Sequence, residues 1–249
     1  MGAERLQHEQ GEGALPSEPE SAPRLGSGTI RSQRARPQLE ADRLDYRLIS
    51  PRGPGDPALL AAYATWSEGW SATFRELDGM AELRSDEFTR LDQVGVLLYE
   101  GRCVSVTGLR WLDMSLPMSI QDSYFRAWPK DALGAIGAGL LGVSCNTIIA
   151  PAWRGGLVHA SEGDPLLLKN LTLRMSLRQF LDTPAQTFVG VARNDRGMHD
   201  TAGELGCRRM GSIVLHGIES DICTWTRSDV INLGPVVEGL WDKWKNGEG

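Results

Sequence analysis

Two β-forming runs separated by two turn-type residues constrain the fold of this chain more than any other feature. Val94–Glu100 and Cys103–Leu112 are rich in Val, Leu, Tyr and Thr, and Glu100-Gly101 stands where they meet. That spacing predicts an antiparallel hairpin closed by a tight turn. A purely parallel, doubly wound sheet is therefore excluded.

Helix signals surround the hairpin. Asp56 is suited to an N-cap and Pro57 to the first helical position. Leu59, Leu60, Tyr63, Trp66, Trp70 and Phe74 then recur at three- and four-residue steps, and Asp78-Gly79 marks a stop. A short strand, Asp45–Ile49, precedes this helix. Pro129 opens another, with Leu133, Ile136 and Leu140 inward. Val143–Ala150 reads as a strand stopped by Pro151, and Asp164-Pro165 as the cap of a helix over Leu166–Leu181. Thr187–Ala192 reads as a strand, Met198–Leu205 as a short helix ended by Gly206, Ser212–Leu215 and Ile222–Trp225 as strands, and Gly239–Lys245 as a last short helix. This alternation predicts a mixed α/β domain over residues 41–249. Residues 1–40, rich in Glu, Gln, Pro, Ser, Gly and Arg, read as a disordered tail with a basic run at Arg31, Arg34 and Arg36.

Composition narrows the function. The formal net charge of -6 argues against nucleic acid as the main partner. None of the four cysteines forms a C-x-x-C pair, so no metal site is expected, and Cys103 and Cys145 read as buried core residues. The N-terminus lacks the apolar core of a secretory signal, and Leu133–Val143 is far shorter than the ~20 residues of a membrane span, so a cytoplasmic protein is expected. There is no G-x-G-x-x-G after a strand, no Gly-Lys-Ser/Thr phosphate loop and no G-x-S-x-G elbow.

Val143–Ala150 followed by Pro151-Ala152-Trp153-Arg154-Gly155-Gly156 resembles the donor-site strand of GNAT-type acyltransferases. Thr187–Arg193 with Asn194 and Gly197, then Glu204-Leu205-Gly206-Cys207, is similar to the next strand and helix of that family. A narrower likeness, to acyl-homoserine-lactone synthases and long-chain N-acyl amino acid synthases, lies in Phe88–Gln93, Gly108–Trp111, Leu116-Pro117 and Tyr124-Phe125. The resemblance implies a GNAT-like α/β fold: a mixed, mostly antiparallel sheet flanked by helices. It implies an N-acyltransferase with no tightly bound cofactor. An acyl-CoA or acyl-carrier-protein thioester would be the co-substrate, and a small amine such as an amino acid the acceptor. Two other outcomes stay open: a non-catalytic acyl-thioester sensor, and an ordinary acetyl-CoA-dependent N-acetyltransferase.

In that frame Ile148, Ile149 and Ala150 would offer backbone groups to the pantetheine and to the thioester carbonyl. Arg154, Gly155 and Gly156 would meet phosphate, and Asn194 either contacts pantetheine or caps a turn. The family's glycine-rich loop is broken here by Leu157, and Leu157–Asp164 intervenes before the expected helix, with Glu162 and Asp164 at the expected pyrophosphate position. A carrier protein, which presents one phosphodiester, suits that change. The family's frequent Tyr acid is replaced near Ala202-Gly203. Asp92 and Glu100 flank a strand and are candidate proton acceptors; a turn cap and a hairpin residue are their plainer readings. Arg110, in an apolar strand, either clamps an acceptor carboxylate or pairs with Asp92 or Asp113. Trp66, Trp70, Phe74 and Trp111 either line an acyl tunnel or belong to the core.

Overall fold

The computed structural model describes residues 35–53, 55–79, 86–230 and 232–247. A seven-stranded sheet is built from β2 (Leu44–Ile49), β3 (Gln93–Tyr99), β4 (Arg102–Asp113), β5 (Leu140–Ile149), β8 (Thr187–Arg193), β9 (Arg208–Leu215) and β10 (Ile218–Thr226). Its order is β2-β3-β4-β5-β8-β10-β9. Every neighbouring pair is antiparallel except β5–β8. The hairpin turn has Glu100 at φ 52° and Gly101 at φ 76°, the two positive angles of the turn that matches strand twist.

Strand alternation assigns the two faces. Val94, Val96 and Leu98 pack with Ala62 and Trp66 of α1 (Pro57–Asp78) and with Phe88 of α2 (Asp86–Thr89). Leu97 and Tyr99 point the other way, into a core shared with α4 (Leu168–Leu181), α5 (Met198–Glu204) and α6 (Pro235–Lys245). Val143, Val189 and Ile222 pack with Phe125, Trp128 and α3 (Lys130–Ala135). Asp56 Oδ1 accepts the Ala58 N–H at 2.8 Å, Pro57 begins α1, and Gly79 ends it at φ 66°. A cap of this kind contributes about 1 kcal/mol.

Three boundaries differ from the expectations. The helix after Pro129 ends at Ala135, and Leu140 opens β5, because Gly139 turns the chain at φ 108°. The α4 helix begins at Leu168, and Asp164-Pro165 does not cap it. Leu166-Leu167 (β7) instead lies antiparallel to Leu157–His159 (β6), so residues 157–167 form a hairpin excursion. Lastly, Gln38–Glu40 (β1) pairs in parallel with β6, so regular structure begins before residue 41. The rest of the expected tail, residues 1–34, lies outside the described residues.

Candidate functional site

The site begins at a β-bulge. Val106 faces Ile148 and Gly108 faces Cys145, so Asn146 and Thr147 together oppose Thr107. Asn146 adopts φ 54°, a left-handed angle that Asn tolerates better than most residues. Its carbonyl accepts the Trp70 indole N–H at 3.2 Å. A bulge bends and twists its strand. Here it carries β5 away from β8: the two pair only from Leu141/Thr187 to Ser144/Gly190, although they run on to Ile149 and Arg193.

The fork opens a cleft of about 550 Å³. Ser144–Ile149 line one wall and Gly190–Arg193 the other, with Trp70 and Thr73 of α1 alongside. Beyond Ser144 the β5 backbone still pairs with β4 on one edge, while the other edge faces the cleft. The helix α1 can come this close because residue 69 is glycine. A Cβ there would lie 2.4 Å from Ile148 Cγ1.

Cations also line the cleft. Arg36, Arg154, Lys169, Arg193 and Arg196 all line it, together with Gly155 and Gly156. The Leu168 N–H donates to the Gly156 carbonyl at 2.9 Å. The hairpin excursion is thereby closed at its base, and Arg154-Gly155-Gly156 abuts the start of α4 as an uninterrupted loop would. Leu167, the N-cap residue, provides no side-chain cap, so the first turn of α4 keeps donor capacity. Glu162 and Asp164 are exposed and are not among the residues lining the cleft. The expected negative charge at the phosphate position is therefore corrected: the acids ride on the excursion. Arg193 pairs with Asp195 at 2.7 Å, Arg196 with Glu76 at 3.2 Å, and Lys169 Nζ donates to the Gly197 carbonyl at 2.9 Å.

The structure brings Ile148, Ile149, Arg154, Gly155 and Gly156 into this cleft. Ala150 stands just outside it, its N–H donated to the Val104 carbonyl at 3.0 Å. Asn194 Nδ2 donates to Asp221 Oδ1 at 3.3 Å and does not line the cleft. Glu100 is exposed in the hairpin turn and pairs with Arg43. Asp92 Oδ2 accepts the Trp111 N–H at 2.8 Å and lines a separate hollow with Gln93, Gln179 and Trp244. Arg110 forms a bidentate pair with Asp122, at 2.8 and 2.6 Å, and so with neither Asp92 nor Asp113. That contact, followed by the Tyr124 N–H, holds the Asp122 carboxyl below the usual carboxylate range. Of the four tunnel candidates, Trp70 lines the cleft, Phe74 packs against Trp70 and His216 outside its lining, Trp66 is buried in the core, and Trp111 lines the hollow.

Cys145 also lines the cleft. Burial, the largest influence, pushes its thiol up to about 12, so it stays protonated and a poor nucleophile at neutral pH. Sequence reasoning placed it in the core and assigned no role in the site to Lys169, Arg193 or Arg196. The one available signal for the bulge was an Asn interrupting an apolar strand. Among the described residues no group of His, Cys, Asp and Glu could hold a metal ion, and no helix is long and apolar enough to cross a membrane.

No family model and no curated protein matches the chain. Solved structures do. An uncharacterized protein from Bacillus halodurans is similar over 83% of this chain and 92% of its own, at 14% identity and a TM-score of 0.46. The AHL synthase LasI is similar over 75% and 94%, at 14% identity and 0.47. FeeM, an N-acyl amino acid synthase from uncultured soil microbes, is similar over 74% and 91%, at 13% identity and 0.46. By its own topology, a mixed and mostly antiparallel sheet that forks at its one parallel pair beside a bulge in β5, the chain has a GNAT-like fold.

Proposed function

We propose that the chain is an N-acyltransferase that takes an acyl group from a pantetheine thioester and gives it to a small amine, such as an amino acid. The observation that carries this reading is the forked cleft with a free backbone edge on one wall and five cations among its lining residues. An extended pantetheine arm would lie along β5 as an added strand, exchanging hydrogen bonds with the backbone beyond Ser144. Its phosphate would meet Arg154, Gly155 and the start of α4. A backbone N–H near Ile149 would stabilise the oxyanion as the carbonyl carbon becomes tetrahedral.

The chemistry is direct. The amine nitrogen attacks the thioester carbonyl carbon, the C–S bond breaks, the thiol leaves, and an amide forms. The protonated thiol of Cys145 supports this route over an acyl-enzyme. Among the described residues no Asp or Glu lines the cleft, so the ammonium proton leaves through water, Asp92 and Arg110 act on the site's structure or the acceptor from outside it, and Glu100 belongs to the hairpin turn.

The same lack of a lining carboxylate favours a second reading, a module that binds acyl thioesters without turnover. Titration calorimetry of the full chain with acetyl-CoA, long-chain acyl-CoA and acyl-carrier protein, followed by thiol release and product mass with a panel of amines, separates the readings. Binding plus amide formation supports the transferase. Binding with no amide from any amine supports the module. Tight acetyl-CoA binding with rejection of long chains identifies an ordinary acetyltransferase, and no binding at all removes the donor reading.

A further inference from the structure

We infer that the segment around β1 is a wall of the donor mouth, and that Arg36 is a specificity-determining residue for the phosphate of a phosphopantetheine-bearing donor. The inference rests on the donor reading above. Its basis is the way residues 36–40 are built into the loop that replaces the family's glycine-rich turn.

Gln38, Leu39 and Glu40 pair in register with Leu157, Val158 and His159, and the Pro37 carbonyl accepts the Leu157 N–H at 2.9 Å. Leu39 is 0% exposed and shares the main core with Val158, Leu168 and Leu171. Gln38 Oε1 and the His159 ring Nε2 are in hydrogen-bond contact across the same pair. Gly156 leaves the space this needs: a Cβ there would lie 3.0 Å from Leu39 Cδ1 and 3.6 Å from the Pro37 carbonyl oxygen. The segment is thus anchored immediately after Arg36 by a ladder and a buried leucine. Arg36 itself lines the cleft beside Arg154 and Gly155.

Three of the five cations lack an acidic partner among the described residues, but Lys169 Nζ is held by the Gly197 carbonyl at 2.9 Å, which singles out the other two. Arg193 and Arg196 are offset by Asp195 and Glu76. Among the described residues, Arg36 and Arg154 have no acidic partner. They come from segments 118 positions apart in the chain, yet border one opening. Two unoffset guanidinium groups at one opening repel each other, and an anion between them relieves that repulsion while accepting planar, charge-assisted hydrogen bonds from both. A phosphate fits this chemistry, whereas the pantetheine arm, which is neutral, does not require it.

The test is calorimetric binding of CoA, 4′-phosphopantetheine and pantetheine to the full chain and to Arg36→Ala, Arg36→Lys and Arg52→Ala, with Tm measured for each. Arg52 is an exposed arginine outside the cleft and controls for net charge. Arg36→Ala should weaken CoA and phosphopantetheine about tenfold, which is ~1.4 kcal/mol, and pantetheine by less than about twofold. Its Tm should match that of the parent. Arg36→Lys should recover part of the loss, and Arg52→Ala should change nothing. Equal weakening of all three ligands, or none of any, overturns the role of Arg36. If the parent chain binds none of the three, the donor reading and this inference both fail.

Discussion

Removing Arg110 should destabilise the fold before it touches chemistry. Its guanidinium holds Asp122 through two bonds of 2.8 and 2.6 Å, and both side chains are only 20% exposed. Asp122 Oδ1 also accepts the Tyr124 N–H at 2.9 Å, capping the turn that seats Phe125 and Trp128 in the core. Breaking a fully buried pair costs about 3–5 kcal/mol and an exposed one about 0–1. At this burial, Arg110→Ala should cost ~2 kcal/mol, or about 4–8 °C in Tm for a domain of this size. Asp122→Ala should cost a similar amount, and the double variant little more, giving a coupling of ~1–3 kcal/mol. Urea denaturation of the two singles and the double measures it. A coupling below about 0.5 kcal/mol would refute the structural role. An Arg110→Ala chain of parental stability whose acceptor KM alone rises would restore the guanidinium as an acceptor clamp.

Three further outcomes follow from the geometry. Glu100→Gln should leave thioester turnover within about twofold, because Glu100 sits in the β3–β4 turn, pairs with exposed Arg43 and does not line the cleft; a loss of a hundredfold in steady-state assays would make Glu100 a base. Gly69→Ala should lower stability by about 1–3 kcal/mol and weaken donor binding, since its Cβ meets Ile148 at 2.4 Å, although alanine is the better helix former; calorimetry and denaturation read both. The Asp122 carboxyl is depressed in the folded chain, so its contribution is present above its unfolded value near ~3.9 and is lost as pH falls through the folded value. Below about pH 4, Asp122→Asn should therefore show a shallower fall of stability than the parent, measured by denaturation at each pH.

Local signals carried most of the architecture. Asp56-Pro57 and Gly79 bounded α1 because caps act within one turn. The Glu100-Gly101 turn set the β3–β4 register because both residues adopt positive φ. Where expectation and structure parted, the deciding contact was long-range. Asp164-Pro165 has the local chemistry of a helix start, yet Leu166 and Leu167 pair with Val158 and Leu157, and a ladder partner outweighs a cap. Arg110 found Asp122 rather than Asp92 or Asp113 because the turn after β4 folds back over the strand, a path no periodicity announces. The cations of the cleft come from four segments of the chain and meet only in the folded structure.

The excursion after Gly156 sharpens what a donor loop at this position, as proposed, must preserve. Eleven residues separate Gly156 from Leu168 in sequence, but one backbone hydrogen bond of 2.9 Å joins them in space. An anion at a helix N-terminus responds to the donors of the first turn and to nearby cations, and the path of the chain between them is irrelevant to it. An insertion is therefore tolerated at this point provided that its base is closed and its acids point outward. The β6–β7 ladder closes the base, and β1 covers the outer edge of β6, which would otherwise offer unpaired backbone groups. In the proposed donor site the hairpin and β1 act together: the β6–β7 ladder holds Gly156 beside Leu168, and the strand that pairs with β6 carries Arg36 to the cleft that Arg154 also lines.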